Sequence, residues 1–360
     1  MSTLDATTDR TIRVVRVSSL GPWAGPWDEL VAQMALPSPF LRSWWLEGVS
    51  GPSDHYVLVV EGDTLVGGLA LTRQRRLWIE RFRVLGHGTL CPDHLDLVAT
   101  PDRAHDVARV LRGWFAARGS RLLDLHGLAE TSVLVQAFAD GGEVVTLDVA
   151  PFEALPADPD AYLGTRSSSS RQRYRQHRRR TEEQGVVYRR AADAEVPAAL
   201  ADFARLHGSR PDRARLCREM PRLLTTLRAS AAAGELRVVV AEIGDRRGAV
   251  VLLFTTGRRL SFYQVARDVE DPRFNHSGTV VDMHAILEAC TDGLVEVDFL
   301  RGDERYKRSF ARDQRRVLRL RCARGLGARL WWWSMEAAEG ARRDLGRWRR
   351  ALRRRSGASG

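Results

Sequence analysis

The chain has 360 residues, 44% of them hydrophobic, and a net charge of +11, so there is room for about two domains and ample core. No run approaches the roughly 18 apolar residues of a membrane-spanning helix, MSTLDATTDR has no apolar signal core, and Cys91, Cys217, Cys290 and Cys322 show no metal or disulfide spacing. The expectation is a cytoplasmic protein without a metal, not a membrane-spanning or disulfide-built one.

In chain order, IRVVRV (12–17) reads as a strand, and Pro26 opens a helix over WDELVAQMA. PSPFLRSWWLEGV (37–49) reads as a loop and a short helix with buried tryptophans. Residues 56–86 form a three-stranded meander with short turns. CPDHLDLVAT leads into a short strand. PDRAHDVARVLRGWFAARG is a helix between Pro101 and Gly119, SRLLDLHGL a strand, TSVLVQAFAD a helix, and EVVTLDVA the strand that closes a first unit, 12–150.

A proline-rich link, PFEALPADPD, opens the second unit, 151–325. Ser167–Ser170 precede a basic helix, RQRYRQHRRRTEEQG, stopped by Gly185. VVYRRA is a strand, helices follow near 194–207 and 212–233, and ELRVVVAEI, AVVLLFTT and LSFYQVA make a second meander. HSGTVVDMHAILEAC has helical spacing at Val280, Met283, Leu287 and Cys290, with Gly293 as its C-cap. LVEVDFL is a strand running into Arg301-Gly302-Asp303-Glu304-Arg305-Tyr306-Lys307, and RRVLRLRCA (315–323) is the last strand.

The two units repeat one plan, so the expected fold is mixed α/β: tandem domains, helices on largely antiparallel sheets, facing a shared cleft. The strand, polar loop and helix start at 260–279 form an anion-binding corner, because free N–H groups and the helix dipole point at a ligand. The charged turn after the next strand lies where ligands bind in open sheets. The basicity is local: seven Arg against two Glu in 166–184, and nine Arg against three acids in a Trp/Arg-rich tail, 326–360.

SSSSRQRYRQHRRRTEEQG (167–185), LSFYQVARDVEDPRFNHSGTVVDMHAILEA (260–289) and VDFLRGDERYKRSFA (297–311) resemble the GNAT-fold acetyltransferases described as CelD/BcsL-like, associated with cellulose and exopolysaccharide biosynthesis. PFLRSWWLEG and the LVGGLAL meander extend the resemblance to about 12–323. It implies tandem GNAT-like domains that move an acetyl or acyl group from acetyl-CoA or another acyl-CoA to an amine or hydroxyl of a sugar or glycan acceptor. The Fem-type aminoacyl transferases share the architecture, which makes an aminoacyl-tRNA-dependent ligase the alternative; a non-catalytic scaffold is a third reading. The donor would lie between splayed strands 260–267 and 294–300, with its pyrophosphate on the helix start at His276, Ser277, Gly278 and Thr279. The usual phosphate loop, Q/R-x-x-G-x-G/A, is reduced here to Ser277-Gly278.

Lys307, the single lysine among 56 Lys and Arg, is the first catalytic candidate, holding a phosphate or a developing oxyanion. The resemblance makes Tyr306 the acid that protonates the leaving thiolate. Asp303 or Glu304 would serve as base or orient the acceptor, Asp298 would line the cleft, and Arg301 would pair with Asp303 or hold phosphate. For the substrate, Arg171, Arg175 and Arg178 fall on one helical face. His207 is a candidate base, and Asp93 and His94 would reach across from the first unit. His284 reads as structural. In the tail, Trp331, Met335, Ala338, Leu345, Trp348 and Leu352 share a face, suiting an anionic membrane surface or a protein partner; the protein would then be peripheral at the inner face of the membrane.

Overall fold

In a computed structural model the chain is described over residues 12–341 apart from 118 and 340. Its strands are β1 (Ile12–Val17), β2 (Asp54–Glu61), β3 (Thr64–Arg76), β4 (Ile79–Val84), β5 (Ser120–Ala129), β6 (Gly142–Ala154), β7 (Val187–Arg190), β8 (Leu236–Ile243), β9 (Arg246–Thr256), β10 (Arg259–Arg267), β11 (Glu296–Asp298) and β12 (Asp313–Arg324). They make one sheet of order β1-β2-β3-β4-β5-β12-β6-β11-β10-β9-β8-β7. The helices are α1 (Ala24–Gln33), α2 (Ser43–Gly48), α3 (Ala104–Ala116), α4 (Val133–Phe138), α5 (Pro159–Thr165), α6 (Ser168–Glu182), α7 (Val196–Gly208), α8 (Ala214–Ala232) and α9 (Ser277–Thr291). A further helix occupies 326–339.

Both meanders form where alternation and short turns place them, β2-β3-β4 and β8-β9-β10. Each then gains a parallel neighbour, β5 beside β4 and β11 beside β10. The repeat is closed by exchange. β12, from the second unit, lies between β5 and β6, while β6, from the first, lies between β12 and β11. This arrangement corrects the reading of 151–160 as a link. β6 runs on to Ala154 because Phe152–Ala154 pair with β11. Pro151 is tolerated where β6 passes between its two partners, and its carbonyl still accepts from Phe299 N at 2.9 Å. The same stretch then folds as α5, with Pro159 at its first position and Asp158 capping Asp160 and Ala161.

The helices bury the stripes their spacing dictates. In α3 these are Ala104, Val107, Ala108, Leu111 and Phe115. The strand expected in CPDHLDLVAT is reduced to two single bridges, Gly68 to Val98 and Leu95 to Leu128. The two units share core. Phe40, Trp44 and Trp45 from the first pack on Phe254 and Tyr263 from the second, with ring centroids 5.2–6.2 Å apart. On the other face, α9 buries Val281, Ile286 and Ala289 beside Tyr162, Phe299 and Phe310.

Candidate functional site

β10 and β11 pair at only three positions, Arg259–Glu296, Leu260–Val297 and Ser261–Asp298, and then part. A bulge at Phe262/Gln264 breaks β10's register with β9 at the point of parting, and bulges bend the strand that carries them. On the other side β11 stops, and Leu300 takes a left-handed conformation, φ 54°. Asp298 holds that turn, its Oδ1 accepting from Leu300 N at 2.7 Å. The parted strands leave a cavity of about 270 Å³. Phe262 and Phe299, stacked at 4.8 Å, line its apolar part; Gln264, Arg301, Glu304, Tyr306 and Lys307 line its polar part. Leu90, Cys91 and Asp93 close it from the first unit.

Buried ion pairs join the two units beneath this cavity. Asp93 accepts from Arg301 N at 2.9 Å and from its Nε at 2.5 Å, while Arg301 Nη2 donates to Pro92 O at 2.7 Å. Gly127 makes that approach possible: a Cβ there would lie 2.5 Å from Pro92 O. His94 Nε2 lies 2.9 Å from Asp298 Oδ2, and Arg315 Nη1 donates to the same oxygen at 3.0 Å. Burial pushes the Asp298 carboxyl up, but His94 and Arg315 outweigh it and leave it below its ordinary value. Burial likewise pushes His94 down, and Asp298 outweighs it, so the imidazole titrates above its ordinary value.

Lys307 is 5% exposed. Its Nζ donates to the carbonyls of Leu300 (3.3 Å), Arg301 (2.8 Å) and Gly302 (3.3 Å) and pairs with Glu304 at 2.8 Å. Three protons thus meet four acceptors, and the ammonium is spent on the turn. From behind, Tyr162 Oη and Arg166 Nη1 donate to Phe310 O at 2.9 and 2.7 Å. Tyr306, 48% exposed, borders the same cavity. Burial of its phenol and the carboxylates of Asp282 and Glu304 raise its pKa, so the hydroxyl keeps its proton.

Tyr306 also borders a second cavity of about 290 Å³, at the start of α9. Thr279 and Met283 line it with Ser170, Arg173 and Arg305. His276 precedes the helix in a left-handed conformation, φ 73°, and its ring stacks on His177 at 4.3 Å. Ser277 is fully buried, its Oγ 3.4 Å from Tyr188 Oη, and a Cβ on Gly278 would meet nothing within 4 Å. The helix start at Thr279 and the guanidinium groups of Arg173 and Arg305 make this an environment suited to an anion. Among the described residues, no three His, Cys, Asp or Glu side chains gather as metal ligands.

The remaining expectations fall elsewhere. Asp303 is exposed and bonded to Arg308 Nε at 2.9 Å, not to Arg301. His207 is buried against Phe203, with burial and then Arg213 and Arg210 holding its pKa down to about 4; it lines none of the cavities described here and is a neutral core histidine. Arg171 is used on Arg166 O at 2.6 Å and Arg178 on Glu182 at 2.7 Å, while Arg175 is simply exposed. His284 lines a separate cavity with Tyr174 and Arg178. Arg173, Arg305, Gln264 and Asp282 were not singled out by sequence. Asp282 had a visible signal, a carboxylate in the apolar stretch TVVDMHAIL. It is 4% exposed, its Oδ1 has no hydrogen-bond partner, and burial raises its pKa to about 7.

Residues 168–308 match the family model described as an acetyltransferase (GNAT) domain. That match lies within a chain of mixed α/β fold, and a GNAT acetyltransferase domain over 168–308 supports a transferase. Among solved structures it is similar to FemX, with a TM-score of 0.60 and 11% identity over 82% of this chain and 95% of that one. It is also similar to L-PGS from Bacillus licheniformis, with a TM-score of 0.52 and 8% identity over 82% and 90% of the two chains. A conserved protein of unknown function from Bacteroides thetaiotaomicron aligns with a TM-score of 0.50 and 10% identity over 84% and 97%. At such identities these likenesses concern the fold. No curated protein matches the chain by sequence.

Proposed function

We propose that the chain transfers an acyl group, acetyl being the simplest, from an acyl-CoA to an amine or hydroxyl of a sugar- or polysaccharide-related acceptor. The observation that carries the acyl-transfer reading is the parting of β10 from β11 at Ser261/Asp298, with a cavity in the gap and a basic helix start beyond Tyr306. The sugar-related acceptor is supported by the resemblance of VDFLRGDERYKRSFA and its companion segments to the CelD/BcsL-like proteins.

The acceptor's nitrogen or oxygen attacks the thioester carbonyl, a C–N or C–O bond forms, and the C–S bond breaks. Tyr306, protonated and facing the cavity, gives its proton to the departing thiolate. The acceptor's own proton leaves to solvent or to a carboxylate such as Glu304, which lines the same cavity. Lys307 acts as a positioning residue, holding the 300–302 carbonyls and Glu304 so that Tyr306 faces the donor. The purified chain should release free thiol from acetyl-CoA in the presence of an amino-sugar or oligosaccharide acceptor. Tyr306→Phe should lower kcat by about 100-fold with little change in KM. An unchanged kcat in that variant removes Tyr306 from the reaction.

The second reading is aminoacyl transfer from a charged tRNA. It is favoured by the reduced phosphate loop at Ser277-Gly278 and by the exposed arginines of α6. Binding of aminoacyl-tRNA that weakens steeply with salt, together with no acetyl-CoA binding, would select it.

A further inference from the structure

The helix at 326–339 is amphipathic the wrong way round for a helix that only packs on its own domain. Leu326, Leu330 and Trp333 follow one another at i, i+4 and i+7, one helical face, and are 79%, 61% and 62% exposed. The opposite face is fixed. Ala328 is buried, with its N donating to Ser120 Oγ at 2.7 Å. Glu339 takes Arg321 Nη2 at 2.6 Å and Arg319 Nη2 at 3.1 Å. The apolar face is therefore held outward by a rigid inner one.

A second apolar element stands beside it. The turn between β3 and β4 carries Leu77 and Trp78, 70% and 67% exposed. Leu77 adopts a left-handed conformation, φ 54°, that a branched side chain rarely takes. The two elements adjoin, since a Cβ on Gly327 would lie 3.1 Å from Ile79 Cδ1. Arginines adjoin both elements along the chain, Arg75 and Arg76 before the turn and Arg329 within the helix, and the sequence of residues 342–360 has eight Arg against one Asp. Two tryptophans and three leucines exposed beside Arg75, Arg76 and Arg329 are poorly solvated in water and better accommodated at a lipid interface.

We propose that Leu77, Trp78, Leu326, Leu330 and Trp333 form a docking face for an anionic lipid membrane surface, with the apolar side chains entering the headgroup region and the arginines meeting the lipid phosphates. Charge chooses this occupant over a second copy of the chain. Two copies would bring like-charged arginine-rich segments together, whereas anionic lipid attracts them. The proposal concerns attachment and does not depend on how the cavity between β10 and β11 is used.

The test is flotation of the full chain with vesicles of phosphatidylcholine alone and of phosphatidylcholine mixed with phosphatidylglycerol. The native chain should float with the mixed vesicles and much less with the neutral ones, and high salt should release it. A variant carrying Trp78→Ser, Leu330→Ser and Trp333→Ser removes only exposed side chains, and its apparent Kd for the mixed vesicles should rise by about tenfold or more. A hairpin-only variant, Leu77→Ser with Trp78→Ser, should show a smaller rise in the same direction. The proposal is overturned if the native chain stays with the unbound fraction, or if the triple variant floats as the native chain does. It is equally overturned if light scattering finds a native dimer that the triple variant splits, because the face would then belong to a second copy.

Discussion

Tyr306 and Lys307 are neighbours in the chain that both border the cavity but differ in what holds them. Lys307 is sealed under the turn by four acceptors, and Tyr306 looks into the cavity. Lys307→Met should therefore act first on stability. Stranding the three carbonyls and the Glu304 carboxylate should cost about 2–3 kcal/mol, read as a lower urea midpoint with unchanged slope. An unaltered midpoint with lost activity would return the lysine to the chemistry. Asp282 makes a pH prediction. Burial raises its pKa from 3.8 to about 7, so the folded chain holds a proton that the unfolded chain releases. Stability from this group is therefore full below 3.8 and lost as pH rises towards 7. Relative to the native chain, Asp282→Asn should gain stability between acid and neutral pH by up to the order of 4 kcal/mol. Parallel stability curves for the two proteins would mean the carboxyl is not held protonated. A lone acid in an apolar stretch was visible in the sequence, and so was the single lysine. That Lys307 would be turned inward was not, because its acceptors are backbone carbonyls, which every sequence has.

The elements were more legible than the side chains. The meanders, the helix at 277–291 and the strand before the charged turn all follow from period and turn residues. What the periodicity did not carry was exchange between the units. A strand's pairing partner lies in another part of the chain, and β6 alternates in the same way whether it pairs with β12 or β11. α5 was missed in a stretch rich in proline, although Asp158 and Pro159 form a recognisable helix start. The parting of β10 and β11 depends on two local devices, the bulge at Phe262/Gln264 and the left-handed Leu300 turn continued by Gly302 at φ 114°. A Cβ at Gly302 would lie 2.4 Å from the Glu304 carboxylate that Lys307 holds. Gly302→Ala should lose about 1–3 kcal/mol in thermal or urea unfolding, because the conformation is nearly closed to other residues. A neutral outcome would show that the turn relaxes and does not fix the opening.

At the scale of the molecule, the two units act as walls of one cleft. Asp93 and His94 were expected to reach across, and the structure brings them to Arg301 and Asp298 through buried ion pairs. They brace the cleft from beneath, with only Asp93 touching the cavity. The gap between β10 and β11 is proposed to receive the acyl end of an acyl-CoA. This proposal is tested most directly by calorimetric titration of acetyl-CoA into the native chain and into Val265→Trp, which places an indole in that gap while leaving the start of α9 untouched. The account predicts saturable binding by the native chain and an affinity at least about tenfold weaker in the variant, with the variant's melting temperature close to native. No heat of binding with the native chain, or equal affinity in the two proteins, would contradict it.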